Sequence, residues 1–468
     1  VFTKEIYWQL QLLLLLDQQD DWYSGTELAY ASGLNINTVQ KYLDHLQILT
    51  QNFPDVTLEK HRNYGARLIR KSSFPLQRLL REVIHQGILV PFFEDLLLLG
   101  SVDIQFFCEE HFISLSTLRR NLHKLEKELK PLGLELSKGM IVRLTGPEHQ
   151  VRYLFFQYLW TIYRGVKELP WEIEERMNYP IEQLSNLFGL NFSNVQRSQL
   201  AVLLFVFECR IKVQTIKKWT IEPTLEAPSL FSHWHKNDWG MLLFFLTLFP
   251  VFFELSERKL LVVISPNVQA LVADQSDEWI QLFEETFDVT VEEKDIIKGQ
   301  LKHLLLFNQC LTEVHSLTGL FPIVDEEHLK LIVPQYMEIF SLFSGKFLAE
   351  CDVRNPKMTE LFSLLLANTI VPYLSYRPKI KLFILSDLGT TFEKMQKDLL
   401  VAGLSNEYRL EFVKTEAEAD LTLSNMPTHY AKSLQIRSTI NSRDLRLIRQ
   451  ALKTETCENV HEVFIRKF

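Results

Sequence analysis

The chain is poor in the features that mark secreted, membrane-spanning and metal-dependent proteins. Its five cysteines, Cys108, Cys209, Cys310, Cys351 and Cys457, are odd in number, widely scattered and without CxxC spacing. That pattern argues against a disulfide framework and against a zinc site, and it suits a reducing cytoplasm. The longest uncharged apolar run, residues 239–253, falls short of a bilayer span and contains Pro250, so no membrane partner is expected. No signal peptide is visible, although the chain begins at Val1 rather than Met. Basic excess is missing too. A formal net charge of -8 argues against a surface coated in lysine and arginine, so any contact with nucleic acid must rest on a local patch. There is no HExxH, no Walker A loop and no GxSxG, which leaves catalysis without local support. The expectation is a non-enzyme with no cofactor and no metal.

What is present begins at residues 25–46, GTELAYASGLNINTVQKYLDHL. Ala29 suits a tight helix–helix contact, Gly33 a turn, and Asn35 the cap of a second helix, at the spacing of a helix-turn-helix. On that second helix Ile36, Val39, Leu43 and Leu46 recur at helical period and are expected to face the core. The opposite pole carries Asn37, Gln40, Lys41, Asp44 and His45, within reach of a major groove. A preceding helix over about residues 4–19 supplies Ile6, Leu10, Leu13 and Leu14 as support. Residues 56–70 then read as two short strands joined by HRNYG, with Gly65 in the turn. That is a wing, and Lys60, Arg62, Arg67, Arg70 and Lys71 concentrate positive charge on it.

The pattern repeats. Aligning residues 36–46 with residues 115–125 places Val39 on Leu118, Leu43 on Leu122, Leu46 on Leu125 and Thr38 on Thr117. At exposed positions Gln40 corresponds to Arg119, Lys41 to Arg120 and His45 to Lys124, so the second copy carries more positive charge. Ser114 caps its helix, and residues 134–144 form a second wing turning at Lys138 and Gly139. A single helix-turn-helix match has the plain alternative of an ordinary helical hairpin; two copies with two wings favour DNA.

From Pro147 onward the chain is dense in Phe, Leu and Trp. Residues 199–209 and 300–310 superimpose without a gap, and residues 181–190 have a rougher counterpart in residues 280–289. This reads as two helical repeats of roughly a hundred residues, with a polar break near residues 253–260. The end differs again: strands at 379–386, 409–413, 420–424 and 434–438, with helices at 392–401 and 442–453, describe a small α/β domain with a mainly parallel sheet. Its SDLGTT loop after the first strand sits where such folds bind ligands.

The fold class read from this pattern is mainly α and multidomain. Residues 1–72 and 73–146 are tandem winged helix-turn-helix domains, 147–257 and 258–376 two all-helical domains, and 377–468 the α/β domain. This order resembles the Mga/AtxA family of bacterial virulence regulators. The resemblance implies that the helical domains are like the regulatory domains (PRDs) of the phosphotransferase system and that the last domain is like its enzyme IIB. It further implies a cytoplasmic, self-associating transcription factor responsive to histidine phosphorylation, with a phosphocarrier protein of that system as a possible partner. Two positions depart from the pattern. Where enzyme IIB carries a phosphoryl-accepting cysteine, this chain has Ser386, which makes the terminal domain a non-catalytic relative. His303 of the second repeat meets Val202 in the first, which instead offers His233 and His235; His315 is a further candidate. Each histidine also has the plainer reading of a solvent-facing or core side chain. A phosphoryl group could pair with Arg210 or Lys302 and shift an oligomeric equilibrium.

The DNA-contacting residues expected are Asn37, Gln40, Lys41, His45, Ser116, Arg119, Arg120 and Lys124 on the two recognition helices, with Lys60, Arg62, Arg67 and Lys138 on the wings. Two other functions compete. A phosphotransferase carrier enzyme is disfavoured by the missing cysteine. An RNA-binding antiterminator is disfavoured because its RNA-binding end is a small β-domain, whereas this N-terminus is helical with wings.

Overall fold

The computed structural model describes residues 3–164, 169–217, 219, 221–252, 255, 261–313, 326–430 and 432–452. His315 and Cys457 lie outside the described residues, as does most of the polar break near residues 253–260. The chain forms two compact units. One comprises Val1–Asp277, Asp295–Ile323 and Asp352–Thr359; the other comprises Glu278–Lys294, Val324–Cys351 and Glu360–Phe468. Helix predominates, and among the described residues no helix is long and apolar enough to cross a membrane.

In the first unit, α1 (Lys4–Leu16), α2 (Gly25–Ser32) and α3 (Ile36–Thr50) are followed by the antiparallel strands β1 (Val56–His61) and β2 (Gly65–Arg70). The Ser24 side chain accepts from the Glu27 amide while the Glu27 carboxylate accepts from the Ser24 amide, closing a capping box on α2. The Asn35 side chain accepts from the Thr38 amide at 2.8 Å and starts α3. Between them Gly33, at φ +67°, turns the chain. Val39, Leu43 and Leu46 are buried, joined by Tyr42. Ile36 is not buried: it is 47% exposed, because it is the first residue of α3 and projects beyond the end of the core that Val39 reaches one turn later.

The wing has a third member that the sequence did not reveal. Tyr23 bridges to Ala66, with both amide–carbonyl bonds at 2.8 Å. This close approach explains Gly65. Its φ is +93°, and a Cβ there would lie 1.9 Å from the Tyr23 carbonyl oxygen.

The second copy is preceded by α4 (Leu76–His85) and α5 (Leu89–Leu99), then runs through β3 (Val102–Asp103), α6 (Ile104–Glu110), α7 (Leu115–Leu129), β4 (Glu135–Leu136), β5 (Ile141–Val142) and β6 (Leu144–Thr145). The Ser114 hydroxyl accepts from the Thr117 amide at 3.1 Å, and Leu118, Leu122, Leu125 and Leu129 are buried. The second wing is more than a hairpin about Lys138 and Gly139. β4 pairs with β6, while β5 turns aside to pair with β3, ahead of α6. As with Tyr23 and Ala66, the segment ahead of the helix pair is tied to the wing, here as a separate two-stranded sheet, and two-residue strands carry too little alternation to announce it.

Helix α8 (Glu148–Tyr163) leaves the second wing after only Gly146 and Pro147, and is followed by α9 (Ile173–Phe188), α10 (Asn194–Val213) and α11 (Lys236–Leu248). Their core holds four charges. Arg210 donates twice to Glu148, at 2.9 Å each, and Arg152 donates to Glu148 at 3.3 Å and to Asp238. All four are at most 6% exposed, so two cations and two anions cancel where water cannot screen them. Next come α12 (Pro266–Phe287), α13 (Lys294–Cys310), α14 (Pro334–Glu350) and α15 (Pro356–Ile370). The internal repeat aligns Gly189 with Asp288, and both residues close a helix in the left-handed region, at φ +65° and +53°.

In the second unit Trp279, Phe283 and Phe287 stack along α12 and meet Phe343 of α14 edge-on. The Trp279 indole donates to Ser363 at 2.9 Å. The terminal sheet has four strands, β7 (Lys379–Leu385), β8 (Arg409–Phe412), β9 (Leu421–Ser424) and β10 (Ser433–Gln435), in the order β8-β7-β9-β10 and parallel throughout. α16 (Thr390–Leu404) and the helix at residues 442–452 cover it, and Leu382, Leu400, Leu423 and Ile448 form the centre of its core.

Candidate nucleic-acid interface

The polar side chains singled out on α3 and α7 mostly face solvent. Asn37, Lys41, Asp44 and His45 are exposed on α3 and Gln40 is half-buried, while Ser116, Arg119, Arg120 and Lys124 are exposed on α7. The difference lies in the carboxylates.

In the first module the cations are largely answered from within. The Lys60 ammonium on β1 meets the Asp44 carboxylate on α3, tying the wing to the recognition helix. Arg67 pairs with Glu59 at 2.7 Å and lies over the Trp22 ring, 4.5 Å from its centroid. Arg70 forks onto Asp17 and donates to the Phe74 carbonyl, and Lys71 pairs with Asp55. Arg62, at the tip between the strands, has no carboxylate partner among the described residues. Beside it the exposed Tyr64 ring stacks on His61 at 4.5 Å. The wing charge is therefore present but mostly committed, which a count of basic residues along the chain does not reveal.

In the second module Arg119, Arg120, Lys124 and Lys138 have no carboxylate partner among the described residues. Arg119 reaches 4.0 Å from the Met140 sulfur at the wing tip, so helix and wing contribute to one surface. The sequence reading missed Arg143. It is exposed on the wing between the buried Val142 and Leu144, and the two-residue period of the strand was the signal that could have found it. Lys127 and Lys130 extend the exposed basic face along α7.

The candidate histidines do not converge. His303 is buried on α13, its Nδ1 2.7 Å from the Thr247 carbonyl oxygen. A carbonyl only accepts, so Nδ1 carries the proton, and burial pushes the ring's pKa down to about 4. His149 on α8 is likewise held at about 4, by burial and then by the Arg354 cation. His235 caps α11, its Nδ1 accepting from the Asn237 amide at 3.2 Å. His233 is exposed, 3.4 Å from Glu208. Arg210, suggested as a partner for a phosphoryl group, is instead buried against Glu148.

At the SDLGTT loop, Asn425 exchanges hydrogen bonds with Asp387 and reaches Ser438, and Ser386 accepts from the Leu388 amide at 3.2 Å. These bonds join the ends of β7 and β9 through the protein's own side chains.

Residues 72–159 match the Mga helix-turn-helix domain family, a span that includes α6, α7 and the whole second wing. Across 454 residues the chain is 21% identical to a protein of Streptococcus pneumoniae serotype 4 named "Putative trans-acting regulator", covering 89% of each chain. The domain match and the chain-long likeness both support an Mga-type regulator family for this chain.

Proposed function

We propose that this chain is a transcriptional regulator that binds duplex DNA primarily through its second winged helix. The observation that carries this reading is the surface shared by α7 and its wing, where Arg119, Arg120, Lys124, Lys138 and Arg143 stand without carboxylate partners among the described residues. Phosphates attract such cations whatever the sequence, while Ser116, Arg119 and Arg120 have the reach to read base edges. The first module contributes Asn37, Gln40, Lys41, His45 and Arg62, with Lys60 and Arg67 engaged only after leaving Asp44 and Glu59. Fluorescence anisotropy of the full chain on labelled duplex across a salt series tests this. Salt-sensitive duplex binding that an RNA hairpin does not compete away is expected; equal or tighter binding to the hairpin would favour the antiterminator reading instead.

Regulation through histidine is a separate part of the proposal. His233 and His235 are the accessible candidates. His303 would have to leave its core before any phosphodonor could reach it. The terminal α/β domain, with Ser386 where a carrier enzyme needs cysteine, serves self-association in this reading rather than phosphoryl transfer.

A further inference from the structure

The two helix-turn-helix motifs differ at one backbone position that composition does not flag. In the first, the residue two before the cap Asn35 is Gly33, at φ +67°; in the second, the residue two before the cap Ser114 is Phe112, at φ +51°. Side chains rarely adopt this left-handed conformation, and a bulky one there is an outlier. Burial does not compensate it, because the Phe112 side chain is 94% exposed, with Phe106 on α6 66% exposed nearby in sequence. The ring lies at the edge of a shallow cleft shared with Gln105, Cys108, Glu109, Ile113 and Leu115, and almost all of its surface is left to solvent.

We propose that Phe112 contacts thymine C5-methyl groups in the major groove of the duplex engaged by α7. The inference rests on the DNA reading of the second winged helix and adds a specificity residue to it. Phe112 lies three residues before Leu115, the first residue of α7, and a recognition helix meets base edges with its N-terminal end. A phenyl ring can neither donate to a phosphate nor pair with a polar base edge; the apolar feature a major groove offers is the thymine methyl. Charge sorts the approach. Glu109 and Glu110, at the end of α6, are repelled by phosphates, whereas Arg119 and Arg120 are drawn to them.

The test uses the full chain and a duplex selected by it from a random-sequence pool. That duplex is compared with the same sequence carrying deoxyuridine in place of thymidine, which lacks only the methyl group. The wild-type chain should prefer the thymidine duplex by about fourfold, the worth of one buried methyl group. Phe112→Gly should bind both equally, with a thermal midpoint unchanged or raised because glycine accepts the left-handed turn. Phe112→Asn, which also tolerates that conformation, should behave alike and guards against an effect peculiar to glycine. If both variants keep the wild-type affinity and thymidine preference while Arg119→Ala/Arg120→Ala weakens binding, the proposal is overturned and the DNA reading stands. If none of these substitutions alters binding, α7 is not the reading helix and both fail. Loss of self-association with DNA binding intact would show that the ring serves a protein contact, which also overturns the proposal.

Discussion

The two winged helices are built to one frame but hold their charge differently. Each starts the second helix of its pair with a polar side chain on the third amide, each buries the same apolar positions, and each ties its wing to the segment ahead of the helix pair. In the first, Asp17, Asp44, Asp55 and Glu59 answer four of the cations. In the second, the cations of α7 and the wing have no such partners among the described residues. Available charge is thus a different quantity from charge content. An exposed ion pair contributes roughly 0–1 kcal/mol, so these pairs are not locks, but each cation must exchange a carboxylate for a phosphate before it adds to binding.

The comparison can be made only while both modules stand on a folded body, and pH is the strongest lever on that. His149 and His303 have folded-state pKa values of about 4, below the free value of about 6.5. The unfolded chain therefore binds protons first as pH falls. The stability these groups confer is complete above about pH 6.5 and drains toward pH 4, by about 3 kcal/mol per histidine at one pKa unit per 1.36 kcal/mol. Thermal midpoints measured across that window should fall, and His303→Gln should flatten the slope; an unchanged slope would show that His303 does not titrate this way.

Next in size is the double change Arg119→Ala/Arg120→Ala. It should weaken duplex affinity by about tenfold to a hundredfold at moderate salt and reduce the log–log salt slope by about 1.8, two phosphate contacts' worth. An unaltered slope would end the claim that the second module carries the electrostatic contact. The reverse experiment is Asp44→Asn, which releases Lys60. If the first wing lies near the backbone, affinity should rise by about threefold and the slope steepen by up to about 0.9. No change would mean that the first module stands off the DNA. The smallest effect sharpens the shared frame: Asn35→Ala and Ser114→Ala should each lower stability by about 1 kcal/mol. Clearly unequal losses, read by denaturant titration, would show that the two caps are not equivalent.

Legibility in the sequence followed the range of the interaction. The caps Asn35 and Ser114 bond three residues ahead, and the first wing is held by residue types that alternate along one strand, so both could be read locally. The strands of the terminal domain were visible for the same reason, as apolar runs bounded by polar turns. What escaped spans gaps in the chain. Tyr23 bridges to Ala66 across an intervening helix-turn-helix, and Lys60 finds Asp44 across 16 residues. The exposure of Ile36 escaped because periodicity alone does not say where a core ends. Among the candidate sites, polar residues on helix faces were legible, whereas the engagement of the first wing's cations and the burial of His303 required the packed neighbours.

The four charges beneath the second wing constrain how this sequence can drift. Removing any one of Glu148, Arg152, Arg210 or Asp238 leaves one buried charge uncompensated in the set, a loss of about 3–5 kcal/mol, and Glu148 and Arg152 each serve two partners, so the four cannot be changed independently. The four positions are therefore tied together: a viable lineage keeps the set or replaces it wholesale with apolar residues, and intermediate sequences are the unstable ones. The same arithmetic acts during folding, since a helix docked one turn out of register would leave a guanidinium facing hydrocarbon. That makes the joint below the second winged helix intolerant of near misses, although the aromatic surfaces around it would accept many.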